Sequence, residues 1–65
     1  MRLRILSLKR LRNSVNGNPR WELTTTHGVY KTLEDGSVNY EISQAWEGRE
    51  VTVQIDGGVV TDIRS

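Results

Sequence analysis

The sequence predicts a mostly β fold, a small five-stranded antiparallel barrel with one short helix between its third and fourth strands. Three observations predict it. Apolar and β-branched residues recur with period two in short segments along the chain. Turn-forming residues separate those segments, at 13–19, His27-Gly28, Asp35-Gly36 and Asp56-Gly57-Gly58. The 65-residue length allows one domain, residues 1–65, and closing five short strands into a ring removes exposed strand edges.

The first segment, residues 3–12, mixes two alternations. Leu3 and Ile5 fall on odd positions, Leu6 and Leu8 on even ones, and Leu11 on odd again. A straight strand would expose part of this set. The pattern therefore predicts a bent strand with a bulge or sharp twist near Ser7, and Arg2, Arg4, Arg10 and Arg12 facing outward. Residues 13–19 follow as a wide loop, since Asn and Gly tolerate positive φ and Pro19 cannot donate to a ladder.

Residues 21–32 predict a hairpin. With His27-Gly28 as a two-residue turn, Thr26 faces Val29 and Thr25 faces Tyr30. One face then carries Trp21, Leu23, Thr25 and Tyr30 for the core, and the other carries Glu22, Thr24 and Lys31 for water. Residues 33–46 support either a strand, from the alternation of Val38, Tyr40 and Ile42, or a short helix. The helix is preferred. Thr32 would cap it, Glu34 and Asp35 would sit in its first turn, Val38, Ile42 and Ala45 would form its apolar face, and Gly48 would stop it. The last two strands, 51–55 and 59–63, flank Asp56-Gly57-Gly58. A three-residue loop puts Val51, Val53, Ile55, Val59, Thr61 and Ile63 on one face and leaves Val60 exposed. Strand, strand, strand, helix, strand, strand is the OB-like order, with a Src-homology-3-like barrel as the near alternative.

Charge is distributed unevenly. Arg2, Arg4, Lys9, Arg10, Arg12 and Arg20 lie in the first 21 residues without an acid, whereas residues 22–65 hold three cations and eight acids. The formal total of +1 conceals a dipolar chain. With no cysteine there is no disulfide or thiolate metal site, and a single histidine cannot build a zinc site, so neither metal nor cofactor is expected. A chain this short buries only about 60% of its unfolded surface, and self-association into a homo-oligomer is one way to add core. No segment has the roughly 20 apolar residues of a membrane span. Charges interrupt the first apolar residues and no small-residue cleavage site follows, so the N-terminal segment belongs to the folded domain and a cytoplasmic location is expected.

These features select candidate site residues. Arg2, Arg4, Lys9, Arg10, Arg12 and Arg20 suit phosphates or another acidic surface, or else solvate an outer face and pair with the acids of residues 34–50. Asn16 and Asn18 offer amides to bases or to a partner's backbone, or serve turn chemistry alone. Trp21 and Tyr30 fall on the core face, or else supply a stacking surface for bases; the core role is preferred. Trp46 follows the helix and either plugs the barrel end or, if exposed, anchors a partner. His27 stands at a turn without an orienting carboxylate, the acids show no Ca²⁺-loop spacing, and Asp56-Gly57-Gly58 precedes no helix that could hold a phosphate. An enzyme is not expected.

Three segments, 14–21 (SVNGNPRW), 35–40 (DGSVNY) and 48–53 (GREVTV), resemble small uncharacterised accessory proteins of actinobacterial bacteriophages. The resemblance covers most of the chain. It implies a short accessory protein made in the bacterial cytoplasm, with a helical middle segment, and it brings no catalytic site. The leading expectation is thus a binding module whose basic strand meets an acidic macromolecule, nucleic acid first. The second is an inhibitor of a host protein, anchored by an exposed apolar residue such as Trp46, Val60 or Leu6.

Overall fold

In the computed structural model, which describes residues 1–64, five strands form a closed barrel. They are β1 (Arg2–Leu11), β2 (Arg20–Thr25), β3 (Gly28–Thr32), β4 (Glu50–Asp56) and β5 (Val59–Arg64), in the ring order β1-β2-β3-β5-β4. The mostly β, five-stranded closed architecture agrees with the sequence. Antiparallel pairing throughout does not. β3 and β5 run parallel, with Lys31 beside Val59 and Thr32 beside Val60. The reason is arithmetic: strands that alternate in direction cannot close a ring of odd number, so one pair must run parallel.

β1 holds two sides of the barrel. Arg2–Arg4 pair with β4, and Ile5–Leu11 pair with β2. The register shifts between Ile5 and Ser7, the bulge that the change of alternation predicts. Leu3, Ile5 and Leu8 are consequently all buried, while Leu6, on the bulge, is 55% exposed. The bulge has a second effect. Arg10 shares the parity of Leu8 and pairs with Trp21, so it lies across the mouth of the barrel and not outward with Lys9.

The β2–β3 turn is Thr26-His27, one residue earlier than expected, and the ladder pairs Thr25 with Gly28 and Leu23 with Tyr30. Thr25 fixes this turn: its Oγ1 accepts the His27 N–H (3.1 Å) and donates to the Gly28 carbonyl (2.8 Å). Moving a turn by one residue moves the pairing by two, which preserves parity. Trp21, Leu23 and Thr25 are buried and Tyr30 packs against the core, as expected.

β4 and β5 join through Gly57-Gly58, both at positive φ (59° and 81°), a two-residue turn in place of the expected three-residue loop. A register shift follows between Gln54 and Ile55, so that Ile55 pairs with Val60 and Gln54 with Asp62, leaving Thr61 as the extra residue. This bulge turns both Val60 and Ile63 inward. Val60, expected outside, is 1% exposed.

No helix of the expected kind links β3 to β4. Thr32 ends β3 and its Oγ1 accepts the Trp21 N–H (3.0 Å), so it is not free to cap. Asp35 takes a left-handed φ of 64° and Gly36 is extended, which breaks any helical start. Two single 3₁₀ turns, Ser37–Tyr40 and Gln44–Trp46, cross the barrel end instead. They bury Ile42 and pack Val38 and Trp46 against the core; Ala45, assigned to the apolar face of a helix, is exposed. Asn39 secures this cover. Its Nδ2 donates to the carbonyls of Pro19 (3.0 Å) and Leu33 (2.7 Å), and its own carbonyl accepts the Trp21 indole N–H (3.2 Å). Along β1, the Leu8 N–H and carbonyl find side chains in place of a strand: Glu47 Oε2 accepts (2.7 Å) and Gln44 Nε2 donates (3.1 Å).

Candidate functional site

The loop from β1 to β2 is held by one carboxylate. Asp35 accepts hydrogen bonds from the Ser14 hydroxyl, from Asn18 Nδ2 (2.8 Å) and from Asn16 Nδ2 (2.9 Å). Ser14 and Asn18 also close the loop on itself: the Ser14 N–H donates to the Asn18 carbonyl (2.8 Å), and the Asn18 N–H to Ser14 Oγ (3.1 Å). Tyr40, from the first 3₁₀ turn, donates its hydroxyl to Asn18 Oδ1. Donors at alternate positions 14, 16 and 18 thus converge on an acid 17 or more residues away.

Between this loop, the end of β1 and the 3₁₀ turn lies a cleft of about 400 Å³. Arg10 and Asn13 line one part, Gly17 and Pro19 the loop side, Tyr40 and Ile42 the turn side, with Trp21 and Asn39 buried beneath. The Arg10 guanidinium sits 5.6 Å from the centroid of the Trp21 ring. Its Nη2 donates to Asn13 Oδ1 (2.6 Å), and its Nη1 donates to the Leu11 carbonyl (3.0 Å). Carbonyl and amide oxygens orient this cation without neutralising it. The Arg20 carbonyl also accepts from Arg10 Nη1 (3.5 Å), and Arg20 Nη1 donates to the Arg12 carbonyl (3.4 Å).

The basic N-terminal residues separate into two groups. Arg2 ion-pairs with Glu50 (3.1 Å) and donates to Thr52 Oγ1 (2.8 Å), and Arg4 Nη1 donates to the Gly48 carbonyl (2.6 Å). Both tie the β1–β4 seam. Among the described residues, Lys9, Arg10, Arg12 and Arg20 have no carboxylate within 4.0 Å. Lys9 faces away from the cleft, opposite Glu22 on the outer surface of β2. Of the six N-terminal cations Arg10 lines the cleft, and Arg12 and Arg20 lie in the adjoining chain, after the end of β1 and at the start of β2.

The remaining candidates fall elsewhere. Asn16 and Asn18 commit their amide groups to Asp35. Trp46 packs on the core beside β1, apart from the cleft, and Val60 is interior, so Leu6 alone of the three apolar anchors is well exposed. His27 Nδ1 lies 3.1 Å from Thr26 Oγ1 in the exposed hairpin turn, its ring's one hydrogen bond among the described residues. A second depression, about 440 Å³, runs along β4 and β5 near Ile55; of its cations, Arg64 lies 3.6 Å from Asp62 and the Met1 ammonium donates to the Val53 carbonyl (2.8 Å). Sequence reasoning did not assign Tyr40 or Asp35 to the site. Tyr40 emerges only once Val38 and Ile42 turn inward on either side of it; the Ser-Asn-Asn spacing announced a donor-rich loop but not its acceptor.

The three donors, Ser14 first, then Asn18 and Asn16, hold the Asp35 carboxyl below its usual value of 3.8, against a smaller opposing effect of burial. A depressed carboxylate pKa stabilises the fold above the unfolded-state value and loses that contribution as pH falls through the folded value. The loop is accordingly pinned at neutral pH and released in acid, as pH falls below 3.8 and through the lower folded value. Amide exchange at Gly17 and Asn18 is expected to accelerate in that range beyond the intrinsic trend, and Asp35→Asn is expected to abolish the pH dependence. Equal protection of these amides at neutral and acid pH would contradict this role.

No family model matches the chain, and no curated protein or solved structure is significantly similar to it. No helix among the described residues is long and apolar enough to cross a membrane.

Proposed function

We propose that the protein is a non-enzymatic, OB-like binding module whose basic cleft takes an acidic macromolecule, nucleic acid in the first place. The observation that carries this reading is Arg10, which lines the cleft with no carboxylate within 4.0 Å among the described residues, together with Arg12 and Arg20, likewise without an ion pair, in the adjoining chain. Cations left unpaired beside an oriented loop suit phosphate oxygens, and each contact releases a condensed counterion. The ring order with β3 parallel to β5, and a connector covering the barrel end, supports the OB-like assignment. Fold alone assigns no function; the uncompensated charge is what supports this reading. A short accessory protein acting in the cytoplasm of a phage-infected bacterium fits the same reading.

Affinity for a labelled oligonucleotide is expected to fall linearly in log–log form with salt. Three single-strand phosphate contacts give a slope of roughly −2. A flat salt response would remove the reading. The alternative, an inhibitor of a host protein, draws on Leu6 and on Val15, which is 96% exposed in the pinned loop. Stoichiometric recovery of one host protein from nuclease-treated lysate, with no oligonucleotide binding, would put it first.

A further inference from the structure

Resting on that reading, we propose that the cleft takes single-stranded rather than duplex nucleic acid, and that one unpaired base stacks on the ring of Tyr40. Tyr40 is 64% exposed, yet it is not a loose surface side chain. Its hydroxyl is tied to Asn18 Oδ1, and Asn18 is tied in turn to Asp35 by its Nδ2 (2.8 Å). The ring is thus anchored at its far end to a loop that is itself pinned, and it is set in position before any ligand arrives. Anchoring lowers the entropy lost when a flat partner settles on it.

Tyr40 shares the cleft with Arg10, so a base platform and a phosphate-binding cation face one space. Trp21 cannot serve as that platform. It is buried, its indole N–H is spent on Asn39, and Arg10 covers its ring. A base within a duplex has both faces covered by its neighbours, so an exposed ring gains a stacking partner only from an unpaired base. The described chain also lacks an α-helix with which to enter a major groove.

The test measures binding of oligodeoxythymidylate, oligouridylate and a blunt hairpin duplex across one salt series that starts low, with the wild type, Tyr40→Ala and Tyr40→Trp. At least one single strand is expected to bind about tenfold or more tighter than the duplex, and the better of the two identifies DNA or RNA. Tyr40→Ala is expected to weaken that binding about tenfold or more, with the salt slope unchanged, since stacking carries no counterion. Tyr40→Trp, which keeps a stacking face, is expected to retain most of it. Equal affinity for duplex and single strands, with no change in either variant, would overturn the proposal while leaving the basic-cleft reading standing. Failure of all three nucleic acids to bind would remove both. Should Tyr40→Ala unfold, the ratio of single strand to duplex and the Tyr40→Trp variant decide the matter.

Discussion

Arg10→Glu combined with Arg12→Glu is expected to abolish the proposed nucleic-acid binding while the barrel stays folded. Each reversal removes an attraction to phosphate and adds a repulsion of similar size, so the pair is expected to lower affinity on the order of 100-fold or more at moderate salt. The fold loses little. Arg12 is exposed, and the Arg10 stack on Trp21 is worth about 0.5–1 kcal/mol in an exposed setting. The matched control is Arg2→Glu with Arg4→Glu, which makes the same change of net charge at the β1–β4 seam. There it sets position 2 against Glu50 and removes the bond to the Gly48 carbonyl. That variant is expected to melt lower and to keep most of its binding. Equal loss of affinity in both variants, measured by fluorescence anisotropy, would mean that net charge and not the cleft governs association.

Trp21→Ala is expected to unfold the chain at ambient temperature. Removing a buried tryptophan costs about 3–5 kcal/mol, and a core of this size seldom supplies more than about 3–5 kcal/mol in total. Trp21 also joins three parts of the molecule. Its backbone N–H meets Thr32 in β3, its indole N–H meets the carbonyl of Asn39 in the barrel cover, and its ring lies under Arg10 from β1. Trp21→Phe keeps most of the packing and leaves the Asn39 carbonyl without its donor, a cost of about 1–3 kcal/mol. Circular dichroism and urea titration rank the wild type above Trp21→Phe and Trp21→Ala as unfolded. A Trp21→Ala protein with a native-like transition would contradict the assignment of this residue as the centre of the barrel end.

Legibility of the fold followed parity. The β1 bulge could be read because Leu3 and Ile5 change phase with Leu6 and Leu8 in the sequence itself. The core face of β2 and β3 could be read because a turn misplaced by one residue leaves parity intact. The β4–β5 bulge stayed hidden: Val59-Val60-Thr61 offers β-branched residues on both faces, and only the burial of Val60 together with Ile63 reveals the extra residue. Residues 33–46 satisfied helical spacing at Val38, Ile42 and Ala45, but tertiary demands decided. Thr32 was needed by Trp21 and Asp35 by the loop, so no helical start remained. The same division holds at the site. Composition located the cations on the N-terminal segment, but not which of them stay unpaired, because Glu50 and Gly48 reach Arg2 and Arg4 only through the closure of β1 on β4. Asn16 and Asn18 had the chemistry of partner-facing amides and spend it within the chain.

The most direct test of the central claim is a titration of the ¹⁵N-labelled protein with a single-stranded oligonucleotide, followed by amide shifts. The largest changes are expected at Arg10, Arg12, Asn13, Gly17 and Tyr40, with Arg2, Arg4 and the β4–β5 strands little affected. Changes concentrated on Val29 and Lys31 or along Thr52–Ile55, or a spectrum that does not move, would contradict it.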